Sequence, residues 1–204
     1  MTLPTCENVL LHEYRDGSLV EVSLPFSTEY AVLLKINDSP YVTMACSGNY
    51  LREHITGYLI TEGIVSGADQ IEKMDIDETN LIVNAVLAKD KIIAEKLERI
   101  KMITAAGGRT KKSLPSDDLI CKNLPNVRAE VILKSMSEFL TYSREHEATH
   151  GVHSAALYSL LGERLVFFDE IGRHNAIDKV IGYAAINGIS LKDKMICSTG
   201  RISS

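Results

Sequence analysis

Tryptophan is absent from this chain, and its aromatic complement is limited to 8 Tyr and 4 Phe. That supply is thin for the base-stacking platforms on which single-stranded nucleic acids are held. Basic charge is not in excess either: 22 Lys and Arg stand against 27 Asp and Glu, a net charge of −5. A general nucleic-acid binder would carry the opposite balance. Long apolar runs are missing too. A stretch such as Val180 to Ile186 is short and contains Gly182 and Tyr183, well below the roughly 20 residues of a membrane span. The opening MTLPTCENVLLHEYRDG has neither the basic start nor the apolar centre of a signal peptide. The 4 cysteines, Cys6, Cys46, Cys121 and Cys197, form no CxxC pair and no disulfide scaffold. Reduced thiols in a cytoplasmic protein are the expectation. At 204 residues and 45% hydrophobic, the chain can bury roughly 70% of its unfolded surface without a staple.

What is present reads as mixed α/β. Alternation over Leu19 to Leu24 and the Val/Leu run Ala31 to Ile36 predict strands. Asn37-Asp38-Ser39-Pro40 supplies turn chemistry, and Tyr41 to Ala45 completes a hairpin. Ser47-Gly48-Asn49 offers a cap for a helix over Tyr50 to Thr61, with Leu51, Ile55, Tyr58 and Leu59 at helical spacing and Gly63 as its stop. Strands follow near 70–76 and 80–87, then a charged helix near 90–102. Residues 104–127 lack apolar periodicity and combine glycines, prolines, a basic cluster (Arg109, Lys111, Lys112) and an acidic pair, which predicts a long mobile loop. One helix is expected over 127–145, strands at Ser154 to Ser159 and Arg164 to Phe168, a helix opening at Asn175 with Asp178 in its first turn, and a strand at Lys194 to Ser198. The division is therefore an N-terminal mixed α/β region to residue 105, a loop over 106–127, and an α/β half over 128–204.

Three motifs could carry chemistry. His146-Glu147-Ala148-Thr149-His150 is a literal HExxH, followed by His153, with His174 as a possible further ligand for a zinc hydrolase. Gly151 follows the second histidine at once, where a zinc-binding helix should continue, so a polar helix end is the better reading. Asp169-Glu170-Ile171-Gly172-Arg173-His174-Asn175 lies between a strand end and a helix start, the place where α/β units bind ligands. Helix amides and Arg173 there favour an anion, and Gly172 permits close backbone approach. Ser198-Thr199-Gly200-Arg201 follows another strand in the same style and makes a second anion cradle.

DEIGRHNAIDKVIG, with THGVHSAAL before it and STGRISS after it, resembles the formate dehydrogenase accessory sulfurtransferase family (FdhD/NarQ). INDSPYVTMACSG and GYLITEGIV in the first half are similar to that family as well. The resemblance implies a second half folded as an incomplete cytidine-deaminase-like α/β/α unit, a homodimer, and no tightly bound metal. It also implies a cytoplasmic role in which persulfide sulfur passes from a cysteine desulfurase, through a loop cysteine, to the molybdenum bis(molybdopterin guanine dinucleotide) cofactor destined for formate dehydrogenase. Cofactor-binding residues carried over are His153, Gly172, Arg173, His174, Asn175, Asp178, Lys179, Gly200 and Arg201, with Arg173 and Arg201 on phosphates and His153, His174 and Asn175 lining the pocket.

Departures from the family pattern bear on mechanism. The usual CGxCG motif is replaced by TAAGGRTKKSL, and the nearest loop thiol is Cys121, beside Lys122 but close to Asp117 and Asp118. A sulfur carrier needs an accessible, low-pKa thiolate, whereas Cys46 and Cys197 fall in or beside predicted strands. His150 stands where the family has Gly. The family continues past SGRIS, so a C-terminally truncated member is expected. The alternative within the family is a cofactor-binding chaperone without sulfur transfer.

Overall fold

A computed structural model describes residues 3–88 and 125–201. The chain opens with an antiparallel ribbon, β1 (Cys6–Arg15) and β2 (Ser18–Ser27), joined through Asp16 and Gly17, both at positive φ. Such a turn matches the right-handed twist of the flanking strands. Paired residues share a face, so the register collects Val9, Leu11, Val20, Val22, Leu24 and Phe26 on one side of the ribbon.

β3 (Tyr30–Ile36) and β4 (Ser39–Cys46) form the expected hairpin, but its turn is Asn37-Asp38 alone, at φ 49° and 65°; Ser39 and Pro40 already belong to β4. Helix α1 (Leu51–Thr61), a short 3₁₀ turn (Ala68–Gln70), β5 (Ile71–Asp77) and β6 (Ile82–Leu87) complete a four-stranded sheet of order β4-β3-β6-β5, in which β3 and β6 are parallel. Leu51, Ile55 and Leu59 of α1 pack on Val32, Leu34, Val83, Ala85 and Leu87 of this sheet. Gly63, at φ 64°, follows the helix as expected. The expected side-chain cap at its other end is not made: Tyr50 occupies the cap position in the left-handed region and no side chain bonds the first turn.

The second half corrects the single helix expected over 127–145. Two helices stand there, α2 (Ala129–Leu140) and α3 (Arg144–Thr149), and Ser143 starts the second by accepting a hydrogen bond from His146 N at 2.9 Å. β7 (His153–Ser159), β8 (Arg164–Glu170) and β9 (Lys194–Ser198) make a sheet of order β8-β7-β9, with helix α4 (Arg173–Ile186) between the last two strands in sequence. Alternate residues of β7 face opposite ways. Ala155 and Leu157 meet Ala176, Val180 and Ala184 of α4, while Ala156 and Tyr158 meet Phe139 of α2. Both faces are covered, which explains why this strand reads as a continuous apolar run. The result is the mixed α/β fold with an α/β/α second half that the sequence led us to expect. The helix expected near 90–102 and most of the 104–127 loop, with Cys121, lie outside the described residues. Among the described residues no helix is long and apolar enough to cross a membrane.

The two sheets meet through α1 and α4, and glycine sets how closely these helices approach. A Cβ at Gly57 would lie 1.7 Å from the Asp178 carbonyl oxygen, and one at Gly182 would lie 1.8 Å from the Glu53 carbonyl oxygen. Both obstacles are backbone, so neither can swing aside. Gly57→Ala and Gly182→Ala are each expected to lower stability by about 2–4 kcal/mol or to prevent folding. Urea unfolding followed by circular dichroism measures this; a loss below about 1 kcal/mol for both would contradict the close crossing.

Candidate functional site

The site grows from one edge of the second sheet. β8 ends there at Glu170, β9 ends at Ser198, and antiparallel β7 begins at His153, with His153 opposite Glu170 and Ala155 opposite Ser198. The connections leaving those ends are the two segments read from the sequence as anion cradles, and the sheet brings them together. Thr199 is tied to β7 at both backbone and side chain: its N–H donates to Ser154 O (3.1 Å), its Oγ1 accepts from Ser154 N (2.9 Å), and His153 Nδ1 lies 3.3 Å from Oγ1. Ser198 Oγ accepts from Gly200 N at 3.1 Å. Gly200 is then pressed against Arg173, whose Cβ would be 2.4 Å from any Cβ at that position. A side chain at 200 would displace Arg173, which gives this glycine a steric reason independent of φ.

Arg173 opens α4, a helix of 14 residues whose cap, Gly172, has no side-chain hydrogen bond to the first turn. The first turn therefore offers backbone N–H groups and the positive end of the helix dipole. Arg173 Nε is shielded from solvent and has no hydrogen-bond partner. Arg201 is exposed next to Gly200. Together these make an electropositive corner suited to phosphate oxygens.

The rest of the GRHNAIDK segment turns elsewhere. His174, Asn175 and Asp178 line a separate cavity of about 570 Å³ with Met44, Tyr58, Thr61 and Glu62. Asn175 does not cap α4: it is the third helical residue, and its Nδ2 donates to Ala45 O at 2.8 Å. Asp178 is not a solvated first-turn acid either, since its Oδ1 accepts from Thr61 Oγ1 at 2.8 Å and only 7% of the residue is exposed. Burial, with Glu62 nearby, pushes its carboxyl up to about 6.

Lys179, grouped with the ligand residues by resemblance, has no surface to offer: it is fully buried and paired with Glu170. Its ammonium also donates to Ser47 Oγ (2.9 Å) and Asn49 Oδ1 (2.5 Å). Glu170 accepts from Ser47 N (2.8 Å), Ser47 Oγ (2.7 Å) and Ile171 N (3.0 Å). Burial alone would raise the Glu170 carboxyl, but Lys179 and Ser47 hold it below the usual carboxylate range. Ser47 and Asn49, expected only as a helix cap, serve the ion pair instead, and nothing local marks them or the helical His54 for this surrounding. His54 is fully buried, with neither ring nitrogen hydrogen-bonded; desolvation pushes it down to about 4.

The HExxH reading fails on geometry. His150 ends α3 in the left-handed region at φ 52°, His146 Nδ1 is 3.1 Å from Val152 O, His153 turns to Thr199, and His174 faces the other cavity. Among the described residues no three His, Cys, Asp or Glu side chains converge on a possible metal position. Cys46 and Cys197 are buried, as their strand positions suggested; burial, reinforced by Glu170, raises Cys46 to about 11, and burial raises Cys197. Cys6 is exposed on β1.

Asp178 and His54 oppose one another in acid. A carboxyl raised to about 6 gives stability that is complete below its unfolded value near 4 and lost as pH rises through 6. A histidine lowered to about 4 gives stability present above its unfolded value near 6.5 and lost as pH falls. Between pH 7 and pH 5 each amounts to about 1–2 kcal/mol, of opposite sign. Asp178→Asn is therefore expected to steepen the loss of stability on acidification, and His54→Gln to reverse it, in urea titrations at pH 7, 6 and 5. Identical pH profiles for both variants and the parent would overturn this assignment.

Residues 27–204 match the family model described as FdhD/NarQ family. A protein of Listeria monocytogenes serotype 4b (strain F2365), named sulfur carrier protein FdhD, is 32% identical over 200 residues, covering 95% of this chain and 76% of that protein. Its Bacillus subtilis (strain 168) namesake is 30% identical over 196 residues, covering 94% of this chain and 74% of its own length. The crystal structure of a formate dehydrogenase accessory protein from Desulfotalea psychrophila superposes with a TM-score of 0.71 at 19% identity, over 97% of this chain and 74% of that one, and shares the fold.

Proposed function

The chain belongs to the FdhD/NarQ family, and from that premise we propose that it acts as a sulfur carrier in the maturation of formate dehydrogenase. The observation that carries the reading is the corner formed by Arg173, Gly200, Thr199 and the uncapped start of α4, which suits the phosphates of a guanine-dinucleotide molybdenum cofactor as the cargo to be sulfurated. Arg173 and Arg201 take phosphate oxygens and His153 and Thr199 border them, while His174 and Asn175 line the separate cavity on the other side of the helix start. Asp178 and Lys179 act one layer deeper: Asp178 through Thr61, Lys179 through Glu170 and the 47–49 loop.

Sulfur transfer needs a thiolate that attacks the terminal sulfur of a persulfide on a cysteine desulfurase. A new S–S bond forms on the acceptor, and the desulfurase cysteine leaves as its thiolate. Burial and raised pKa make Cys46 and Cys197 poor acceptors. Two thiols remain: Cys6, exposed on β1, and Cys121, which lies outside the described residues; Cys121, in the loop segment and beside Lys122, is the carrier in this reading. The same two buried thiols favour one second reading, a cofactor-binding chaperone that moves no sulfur.

Incubation with a cysteine desulfurase and cysteine, followed by intact-mass analysis, is expected to add one reducible sulfur that Cys121→Ser abolishes. Folded protein that gains no sulfur, beside a desulfurase active on a control acceptor, would move the assignment to the chaperone. Binding is tested separately with guanosine diphosphate by calorimetry. Arg173→Ala is expected to weaken it about tenfold or more, the equivalent of losing one charge-assisted phosphate contact. Unchanged affinity would remove the Arg173 corner from the reading.

A further inference from the structure

A cavity of about 600 Å³ lies between the start of α1, the α2–α3 connection and the end of β8, and none of the residues assigned to the cofactor lines it. Its walls are aromatic. Tyr50 meets Phe168 edge-on with ring centroids 4.9 Å apart, and Tyr142 meets Phe167 in the same way at 4.8 Å. Tyr50 is 57% exposed although its backbone is held at φ 49°, ψ 41°. A side chain with a Cβ adopts that left-handed conformation only at an energetic cost.

The polar lining is acidic. Glu145, Glu147 and Asp169 contribute three carboxylates against the single cation of Arg144. Asp169 is already engaged, accepting from Ser154 Oγ at 2.6 Å and Ser143 Oγ at 2.8 Å. Glu145 is only half-buried and has the Thr5 and Ser27 hydroxyls beside its carboxyl, but its Oε1 makes no hydrogen bond of its own. Phosphates and carboxylates are repelled here, in contrast to the Arg173 corner.

The chain itself shows what this combination attracts. On Tyr142, one of the cavity's walls, the Arg164 guanidinium carbon sits 3.4 Å from the ring centroid while Nη1 pairs with Glu138 at 2.7 Å. A planar cation stacked on tyrosine and paired with glutamate is therefore already built at the edge of the cavity. Inside, Tyr50 and Phe168 offer further rings and Glu145 the carboxylate. Guanidinium suits this better than ammonium, because a plane stacks on rings while its fork presents two donors to one carboxylate. We propose that this cavity binds a guanidinium group, either the arginine side chain of a partner polypeptide or a small guanidinium compound.

The test uses the full chain and three probes: N-acetyl-arginine methylamide, agmatine, and N-acetyl-citrulline methylamide, which keeps the shape and removes the charge. Calorimetric or NMR titration is expected to show saturable binding of the first two and at least about tenfold weaker binding of the third. Glu145→Gln, checked for folding by its thermal transition, is expected to weaken guanidinium binding about tenfold, and Tyr50→Leu several-fold. Should Glu145→Gln not fold, Glu147→Gln tests the same charge and is expected to weaken binding in the same direction. Tighter binding of the arginine amide than of agmatine assigns the natural ligand to a polypeptide, and the reverse order assigns it to a small molecule. The proposal is overturned by equal binding of the citrulline probe, by absence of saturation with both guanidinium probes, or by a folded glutamine variant that binds as the parent does.

Discussion

The ion pair between Lys179 and Glu170 is the interaction on which the arrangement of the molecule turns. Its two members come from the second half, yet the groups that solvate it, Ser47 and Asn49, come from the loop between β4 and α1. Taking either charge out of water costs several kcal/mol, and that cost is offset only when every remaining donor and acceptor is satisfied. Here the carboxylate receives three N–H or O–H donors besides the ammonium, and the ammonium has two further acceptors at close range. A loop displaced by an ångström would leave a buried charge underhydrated. The pair therefore fixes the 47–50 loop against the β8–α4 turn, and the loop adopts positive φ at Gly48 and Tyr50 to meet it.

From that fixed point, helix geometry sorts the GRHNAIDK segment. Successive residues of a helix diverge by about 100°, so neighbours in sequence serve different surroundings. Ala176 and Val180 enter the second sheet's core, Lys179 enters the ion pair, Asp178 faces Thr61 on α1, and Arg173 leaves the helix start toward Gly200. A segment that reads as one dense motif is thus a junction. Two of its polar residues hold the two halves in register, and the others are presented at the surface that this register creates. The glycine crossing of α1 and α4 serves the same end, since Glu53 and Asp178 can abut the opposing helix only where no Cβ intervenes.

How much of this the sequence disclosed follows from how local each signal was. Strands such as Lys194 to Ser198 and the stop at Gly63 depend on neighbours in the chain and were legible. The first strand, Cys6–Arg15, lies in a segment whose apolar residues alternate only weakly, and its one strong local signal is the Asp16-Gly17 hairpin turn. The break at residues 141–143 was hidden by unbroken helical periodicity. It becomes intelligible once Ser143 is seen to accept from His146 and to donate to Asp169, 26 residues away. The two segments proposed as anion cradles do follow the ends of β8 and β9, but their union across β7 depends on sheet order, which no short segment encodes. Ser47 and Asn49 acquire their role in the ion pair only from partners more than a hundred residues distant, and His54 its shift chiefly from burial in the fold.

Charge is distributed over the surface in a way that net charge conceals. The chain's −5 says little about a molecule that presents Arg173, Arg201 and uncapped helix amides at one corner and Glu145, Glu147 and Asp169 in a cavity elsewhere. Between these regions the buried ammonium and carboxylate largely cancel each other's field, so neither imposes its sign on both. An anionic ligand approaching the second sheet's edge is attracted to the Arg173 corner and repelled from the aromatic cavity, which separates the two by sign as well as by place. An electropositive corner and an acidic cavity thus coexist on one mildly acidic chain, and its net charge describes neither.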